Sequence, residues 1–285
     1  MTLHVELPPT HPGFCDPEYR ARRDAIATLA QRFRPGDPLP RAPYTDAEHA
    51  VWRALWAELQ AAHADRVCAE LLACERRLAL PGHRIPQLCE VEATLVATTG
   101  FRLAPVAGLV PARRFLSHLA DGRFLSTQYI RHASRPRYTP EPDVIHELVG
   151  HAGSLAHPGV ARLSRRFGQV ARRLDDDGLR RLERVYWFTL EFGLCLEHGR
   201  LRAVGAGLLS SVGELAGIET GPTLCDWDLD AIAATPFDTS RMQDQLFVAP
   251  SFGAMLRDLE RWLAREEAQA CGTSPAPRGA LLRSA

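Results

Sequence analysis

The sequence predicts a mainly α-helical fold with a few short β-strands. Most long segments repeat their apolar residues at helical spacing, as Trp52, Leu55, Trp56 and Leu59 do. Residues 101–116 and 123–143 contain extended-type residues broken by proline and glycine, which favours strand and loop. The sequence has no internal repeat and no heptad run, so a solenoid and a coiled coil are both excluded.

The helices can be placed in order from their caps and apolar patterns. Thr45 and Glu48 form a capping box, and Gly100 and Gly199 are placed to end helices. The predicted helices cover 21–33, two segments between 45 and 80, a segment ending at Gly100, then 143–156, 159–174, 178–198, 208–215, 226–234 and 251–267.

The chain divides into three parts by composition. Residues 1–43 are predicted to form an N-terminal arm with one short helix, followed by a proline-rich linker. Residues 44–267 form the main domain. The segment 268–285 is small and polar without an apolar period, so we expect it to be disordered.

Composition excludes several classes of function. The 285 residues carry 34 basic and 34 acidic side chains, which argues against nucleic acid or an anionic membrane as the main partner. There is no apolar run long enough to span a bilayer and no secretory signal pattern. Seven scattered cysteines without a CxxC motif indicate reduced thiols and a cytoplasmic protein. The absence of lysine excludes Schiff-base and Walker A chemistry.

The densest group of chemically active residues lies at 140–151. His146 and His151 have the spacing HExxxH rather than the HExxH of zinc proteases. On a regular α-helix the five-residue spacing would place them about 140° apart. Both can face one metal ion only if the helix is distorted or ends near Gly150. The alternative is one hydrogen-bonded core histidine and one surface histidine.

Two further charged residues stand in apolar or uncharged surroundings. Glu191 is the only charge in the run 185–195, and a buried carboxylate needs a partner, either a metal ion or an internal salt bridge. With His146 and His151 it would complete the two-histidine, one-carboxylate triad of non-heme Fe(II) sites. Arg131 can clamp a substrate carboxylate by two parallel hydrogen bonds, or pair with an acidic residue of the protein.

Three segments resemble one known family. YIRHASRPRYTPEPDVIHELVGH, VYWFTLEFGLC and GAGLLSSVGEL are similar to motifs of the pterin-dependent aromatic amino acid hydroxylases, in the family's order and spacing. The likeness covers roughly residues 44–255 and is strongest to the short bacterial phenylalanine hydroxylases. It implies a catalytic domain at 44–267 in which a basket of helices surrounds a mononuclear iron, and we expect a monomer.

The resemblance also implies roles for individual residues. The positions that match iron ligands are His146, His151 and Glu191. Those that match the substrate site are Arg131, Thr139, Trp187 and Ser210. Those that match the pterin site are Gly108, Leu109, Val110, Phe115, Glu147 and Tyr186. Glu147 has an alternative interpretation as a solvated helix residue.

The implied reaction is hydroxylation of free L-phenylalanine to L-tyrosine. The implied cofactors are Fe(II) and tetrahydrobiopterin or a related tetrahydropterin; dioxygen supplies the oxygen, and in the family an Fe(IV)-oxo group attacks the ring. Thr239 lies where phenylalanine hydroxylases are apolar and tyrosine hydroxylases acidic, and Ser126 replaces a histidine of the animal enzymes. The alternatives are meta-tyrosine formation, tryptophan 5-hydroxylation, a zinc-dependent hydrolase with Glu147 as general base, and a catalytically inactive binding protein.

Overall fold

The computed structural model describes residues 7, 9, 11–137, 139, 141–239 and 241–272. Disorder is predicted for residues 268–285, of which 273–285 lie outside the described residues. Residues 268–270 are helical, because the last described helix continues to Ala270, three residues further than predicted. The mainly helical class with short strands is confirmed.

The first half of the chain is helical up to a small parallel sheet. Its helices are α1 (Pro17–Arg32), α2 (Asp46–Arg66), α3 (Ala69–Leu78) and α4 (Leu88–Thr99), and Gly100 ends α4 in the left-handed conformation, as predicted. Strand β1 (Arg102–Pro105), helix α5 (Ala112–Ala120) and strand β2 (Arg123–Ser126) follow, with β1 and β2 paired in parallel.

Helix α5 contradicts the prediction of strand and loop for residues 112–116. Pro111 occupies the position before the helix, where a missing N–H does no harm, and the helix buries Leu116 and Leu119 on one face. The proline was therefore a helix start signal rather than a break.

The second half contains the two histidines and the glutamate. A π-helix, π1 (His146–Ala152), continues into α6 (Gly153–Leu155); α7 (Pro158–Ala171) and α8 (Asp176–Tyr186) follow, and α8 continues into a second π-helix, π2 (Trp187–Glu191). The remaining elements are β3 (Leu194–Glu197), β4 (Arg200–Ala203), α9 (Ala206–Leu209), α10 (Val212–Gly217), β5 (Thr223–Asp226), α11 (Leu229–Ala234), β6 (Gln245–Ala249) and α12 (Phe252–Ala270).

The predicted helix 178–198 is wrong beyond Glu191. His198 and Gly199 have φ of 52° and 74° and form the two-residue turn of a β3–β4 hairpin. Both central residues of a type I′ hairpin turn need positive φ, and glycine favours that conformation. Gly199 therefore marks a hairpin and not a helix end. The hairpin belongs to a four-stranded sheet of order β4-β3-β6-β5.

Helix α1 packs on the main body, although it lies in the predicted N-terminal arm. The Arg23 guanidinium makes two hydrogen bonds to the Glu141 carboxylate, at 3.1 and 2.6 Å, and both side chains are buried. Its guanidinium also lies 4.4 Å from the centre of the Tyr129 ring. This contact places the arm directly behind the segment that leads into π1.

Candidate metal centre and active-site cavity

The π-helical turn at π1 resolves the five-residue spacing. A π-helix closes hydrogen bonds between residues five apart, so side chains at that spacing lie on one face. The Nε2 atoms of His146 and His151 are accordingly 3.0 Å apart. The distortion that the spacing demanded is present, and neither histidine is a surface residue.

Glu191 completes the cluster from the last residue of π2. Its Oε1 lies 2.9 Å from His151 Nε2 and its Oε2 lies 3.6 Å from His146 Nε2. One ligand atom from each of the three residues lies within 4.8 Å of the other two. Two imidazoles and a carboxylate on one side of a point are a donor set that suits a divalent transition metal and leaves positions open.

Ser210 determines which nitrogen of His146 is free to bind a metal. The Ser210 hydroxyl donates to the carbonyl of Ala206 at 2.8 Å, so its single hydrogen is already engaged. It can therefore only accept at His146 Nδ1, 3.0 Å away, and that nitrogen must carry the hydrogen. The Nε2 lone pair then points toward His151 and Glu191, as a metal ligand requires.

Glu191 and His151 each favour the charged form of the other in this buried cluster, so the pKa of His151 is raised while that of Glu191 is lowered. Burial opposes ionisation of Glu191, but the neighbouring His151 keeps the pKa of Glu191 below its usual value. Burial and the adjacent His151 lower the pKa of His146 to about 4. Two imidazole nitrogens and a carboxylate aimed at one point in a buried pocket fit a cation better than they fit each other.

Two glycines allow the elements around the cluster to approach closely. A Cβ on Gly150 of π1 would lie 2.5 Å from the Ala206 carbonyl oxygen, and a Cβ on Gly205 would collide with the backbone of Glu191. Helix α9 thus lies directly against both metal-binding segments. This is the structural role of the segment GAGLLSSVGEL.

All thirteen predicted site residues line one cavity of about 360 Å³. Its floor is the candidate metal centre, and its walls carry the predicted substrate and pterin residues. Those lining residues are Gly108, Leu109, Val110, Phe115, Arg131, Thr139, His146, Glu147, His151, Tyr186, Trp187, Glu191 and Ser210.

Arg131 pairs with an acidic residue of the protein, the second of the two roles that the sequence allows. Its Nε and one terminal nitrogen bind the buried Asp143 carboxylate at 2.8 and 2.7 Å. Among the described residues, the other terminal nitrogen donates to the carbonyl oxygens of Pro136 at 3.2 Å and Ser210 at 3.4 Å. Asp143 thus holds the guanidinium rigid while Arg131 still borders the cavity.

The predicted pterin residues gather where the two parallel strands end. The loop 106–110 follows β1, and Thr127 follows β2 at the same edge. The Thr127 backbone N–H and hydroxyl both donate to Glu147 Oε1 at 3.0 Å. Glu147 is 4% exposed and burial raises its pKa to about 7, so its interpretation as a solvated residue is wrong.

An aromatic group continues this wall. The Phe115 ring meets Tyr186 edge to face with centroids 5.8 Å apart, and it meets Phe124 in the same way at 5.7 Å. These three rings line the same cavity as Val106, Gly108, Leu109 and Val110 of the loop and the metal cluster.

Sequence analysis missed three residues of the opposite wall: Glu214, Phe237 and Gln243. Phe237 stacks on the Trp187 ring at 4.5 Å and 14°. Gln243 bonds the Trp187 indole, and Glu214 bonds the backbone of Gln243. The sequence of 235–244 has no periodic pattern. Phe237, an isolated aromatic residue among polar ones, is the one sign in it of a buried or binding role.

Comparison with known proteins decides the family. A family model described as "Biopterin-dependent aromatic amino acid hydroxylase" matches residues 1–269. The chain belongs to this family. Tyrosine 3-monooxygenase of Canis lupus familiaris is 42% identical over 90% of the chain, and phenylalanine-4-hydroxylase of Caenorhabditis elegans is 40% identical over 93%. The chain spans 52% and 59% of those relatives, so it matches about half of each.

Solved structures agree with this assignment. Phenylalanine hydroxylase of Chromobacterium violaceum with bound oxidized Fe(III) superposes with a TM-score of 0.77 at 29% identity, covering 90% of this chain and 97% of that chain. The phenylalanine hydroxylase of Legionella pneumophila gives 0.74 at 30% identity, covering 85% and 96%. Among the described residues of this chain, no helix combines the length and apolarity needed to cross a membrane.

Proposed function

We propose that this chain is a monooxygenase that uses Fe(II), a tetrahydropterin and dioxygen to convert free L-phenylalanine to L-tyrosine. The observation that carries the proposal is the His146, His151 and Glu191 cluster at the floor of a cavity bordered by Trp187 and the 106–110 loop. We propose residues 44–267 as the catalytic unit, and residues 1–43 as an arm outside it.

The three ligands would hold the iron and leave its remaining positions open to the cavity. Bound iron and reduced pterin supply the activation of dioxygen that amino acid side chains lack. The chain's own residues orient the reactants. Ser210 fixes the His146 ring, Thr127 fixes Glu147, and apolar walls keep bulk water from the reacting ring.

The substrate would lie between the metal and the wall of Trp187 and Phe237. Its carboxylate would bind the edge of the Arg131 guanidinium that faces away from Asp143, where it would compete with the carbonyl oxygens of Pro136 and Ser210 for Nη1. Thr139 and Ser210 border the same end of the cavity. The pterin would lie on the opposite side, on Phe115 and the 106–110 loop, within reach of Glu147 and Tyr186.

Phenylalanine is the proposed substrate because the ring end of the cavity has an uncharged residue at Thr239, where tyrosine hydroxylases are acidic. The two solved structures compared above are phenylalanine hydroxylases, which supports this choice. The curated relatives include tyrosine 3-monooxygenases of equal identity, so the product must be measured.

The test is an aerobic assay with ferrous iron, tetrahydrobiopterin and L-phenylalanine, with products separated against para- and meta-tyrosine standards. We expect para-tyrosine. Meta-tyrosine would retain the chemistry and overturn the ring position. If only L-tyrosine or L-tryptophan is hydroxylated, the substrate assignment is wrong. Turnover of a hydrolysable substrate without pterin would instead support the zinc hydrolase.

A ligand variant tests the metal assignment in the same assay. Glu191→Gln removes one of three ligands. We expect the affinity for iron to fall at least about 100-fold, and the bound iron measured by mass spectrometry to fall with it. His118→Ala is the matched control, because the hydrogen bond that the described residues give His118 lies within its own helix α5. Normal iron content and turnover in Glu191→Gln would contradict the triad.

A further inference from the structure

The indole of Trp187 has a defined orientation that its own helix does not impose. Trp187 begins π2, and its ring is held between Phe237, at 4.5 Å and 14°, and Phe192, at 4.7 Å and 42°. Stacking fixes the distance between rings but leaves an aromatic ring free to slide in its plane. A polar contact at one edge is needed to fix the position within that plane.

Gln243 supplies that contact. The indole Nε1–H donates to Gln243 Oε1 at 2.9 Å. Since an indole nitrogen can only donate, the oxygen of the Gln243 amide must face Trp187 and its nitrogen must face away. The orientation of the amide follows from this bond.

The amide nitrogen ties the same residue to the loop that carries Phe237 and Thr239. Gln243 Nε2 donates to the carbonyl oxygens of Asp238 at 3.1 Å and Arg241 at 3.0 Å. Both hydrogens of the amide and its oxygen are therefore engaged at once. One side chain links the indole wall to the loop that closes the ring end of the cavity.

The backbone of Gln243 is anchored as well. Its N–H donates to Glu214 Oε1 at 3.1 Å, and Glu214 belongs to α10, four residues beyond Ser210. The indole is thus connected through Gln243 to the helix that follows the metal-side serine. Gln243 and Glu214 both border the cavity.

We propose that Gln243 is a positioning residue for ring selectivity: it holds the Trp187 indole in register with the loop that carries Phe237 and Thr239, and thereby sets which carbon of the substrate ring faces the metal. This inference rests on the proposed function. Gln243 need not touch the substrate. It acts through Trp187, whose position changes when the amide is lost.

The test compares Gln243→Met with the wild-type holoenzyme. Methionine has similar length but makes none of the three amide bonds. A neutral hydrogen bond contributes a factor of about two to ten, so we expect the para-to-meta product ratio to change by about two- to tenfold. The dissociation constant for L-phenylalanine, measured by calorimetry, is expected to rise by a similar factor, with iron content unchanged.

Matched variants separate positioning from general loosening. Gln245→Met, two residues further on in β6 and outside the cavity, is the control and should leave the ratio unchanged. In a Trp187→Phe background, which lacks the indole N–H, Gln243→Met breaks only the two bonds to the loop, so its further effect on the ratio should be smaller than in the wild type. Gln243→Glu keeps the acceptor for the indole and should restore part of the ratio.

The outcomes distinguish the two proposals. If the wild-type enzyme neither hydroxylates nor binds any aromatic amino acid, the proposed function fails and this inference fails with it. If the wild type is active and Gln243→Met has the wild-type product ratio and dissociation constant, only the inference is overturned. Should Gln243→Met fail to fold, the Gln243→Glu variant and the ratio in the Trp187→Phe background decide.

Discussion

At the level of single residues, the Ser210 hydroxyl has a precise role beside the candidate metal. It accepts from His146 Nδ1 because its own hydrogen is given to Ala206. Ser210→Ala is expected to weaken Fe(II) or Co(II) binding about 10- to 100-fold, the usual effect of losing such a partner of a ligand histidine.

Metal titration followed by calorimetry measures this effect. Ser211→Ala is the matched control, since Ser211 caps α10 and has no bond to His146. Equal metal affinity in the two variants would show that the serine does not orient the histidine.

Arg131 requires a gentler substitution than alanine. Removing the guanidinium would leave the buried Asp143 carboxylate without its cation, at a cost of about 3–5 kcal/mol in stability. Arg131→Lys keeps the charge but loses the planar fork, so we expect the KM for L-phenylalanine to rise about tenfold or more with iron content unchanged.

Steady-state kinetics and a parallel metal analysis provide the test. An Arg131→Lys enzyme with the wild-type KM would remove Arg131 from the substrate site and leave it as a purely internal ion pair.

Glu214 makes the stability of the protein depend on pH. Burial raises its pKa from 4.5 to about 7, and the hydrogen bonds from Gln243 and Ser211 only partly oppose this. Between these values the folded protein holds a proton that the unfolded chain has lost, so this contribution to stability falls as pH rises from about 4.5 to 7. Above pH 7 the full penalty for burying the charge applies.

Glu214→Gln removes that dependence. The unfolding free energy of the variant relative to wild type should increase between pH 5 and pH 8, by up to about 3 kcal/mol. Denaturant titrations at the two pH values measure it, with the exposed Glu219→Gln as control. An equal difference at both pH values would show that Glu214 is ionised throughout.

At the level of elements, the contact between π1 and α9 depends on Gly150. A Cβ there meets the backbone carbonyl of Ala206, which cannot move aside as a flexible side chain can. Gly150→Ala should therefore destabilise the fold by about 1–3 kcal/mol and also weaken metal binding, since Ser210 moves with α9.

Gly153→Ala offers the comparison within the same helical segment. Nothing lies within 4 Å of a Cβ at Gly153, so this change should be neutral or slightly stabilising. Thermal unfolding and metal titration of both variants decide. If Gly150→Ala behaves like Gly153→Ala, the close approach is not required.

The elements also show what a periodic pattern can and cannot reveal. Helices α2, α4 and α7 follow from apolar spacing and caps, which act locally. The sequence predicts a helix end at the His198–Gly199 hairpin, because one glycine suits both structures and the strand partner β6 lies some fifty residues away in sequence. Pairing with a distant strand leaves little trace in a local window.

At the level of the whole molecule, α1 is joined to the body by a buried ion pair. Arg23→Met would leave Glu141 buried without this partner and should lower the unfolding free energy by about 3–5 kcal/mol. The double variant Arg23→Met/Glu141→Gln should regain much of that loss. Denaturant unfolding of the two single variants and the double variant measures the coupling; purely additive losses would contradict it.

The site was more predictable than the fold around it. Motif residues such as His146, His151 and Glu191 carry chemical identity, so resemblance located them and the structure brings them together. Gln243 and Glu214 act through bonds between segments that are about thirty or more residues apart, and neither residue type stands out in its segment. Long-range hydrogen bonds between common polar residues therefore cannot be predicted from a local sequence pattern.

The wide turn of π1 also has a genetic consequence. The two histidines share a face because the π turn accommodates the one residue by which HExxxH exceeds HExxH. Loss of a single codon between them, with the reading frame kept, would leave the four-residue spacing that a regular α-helix brings to one face. We expect such a deletion to replace the π turn by an α turn, so that the two imidazoles stay together and the residues after them keep their packing register. An inheritable change of one residue would thus alter the type of helix and not the pairing of the histidines.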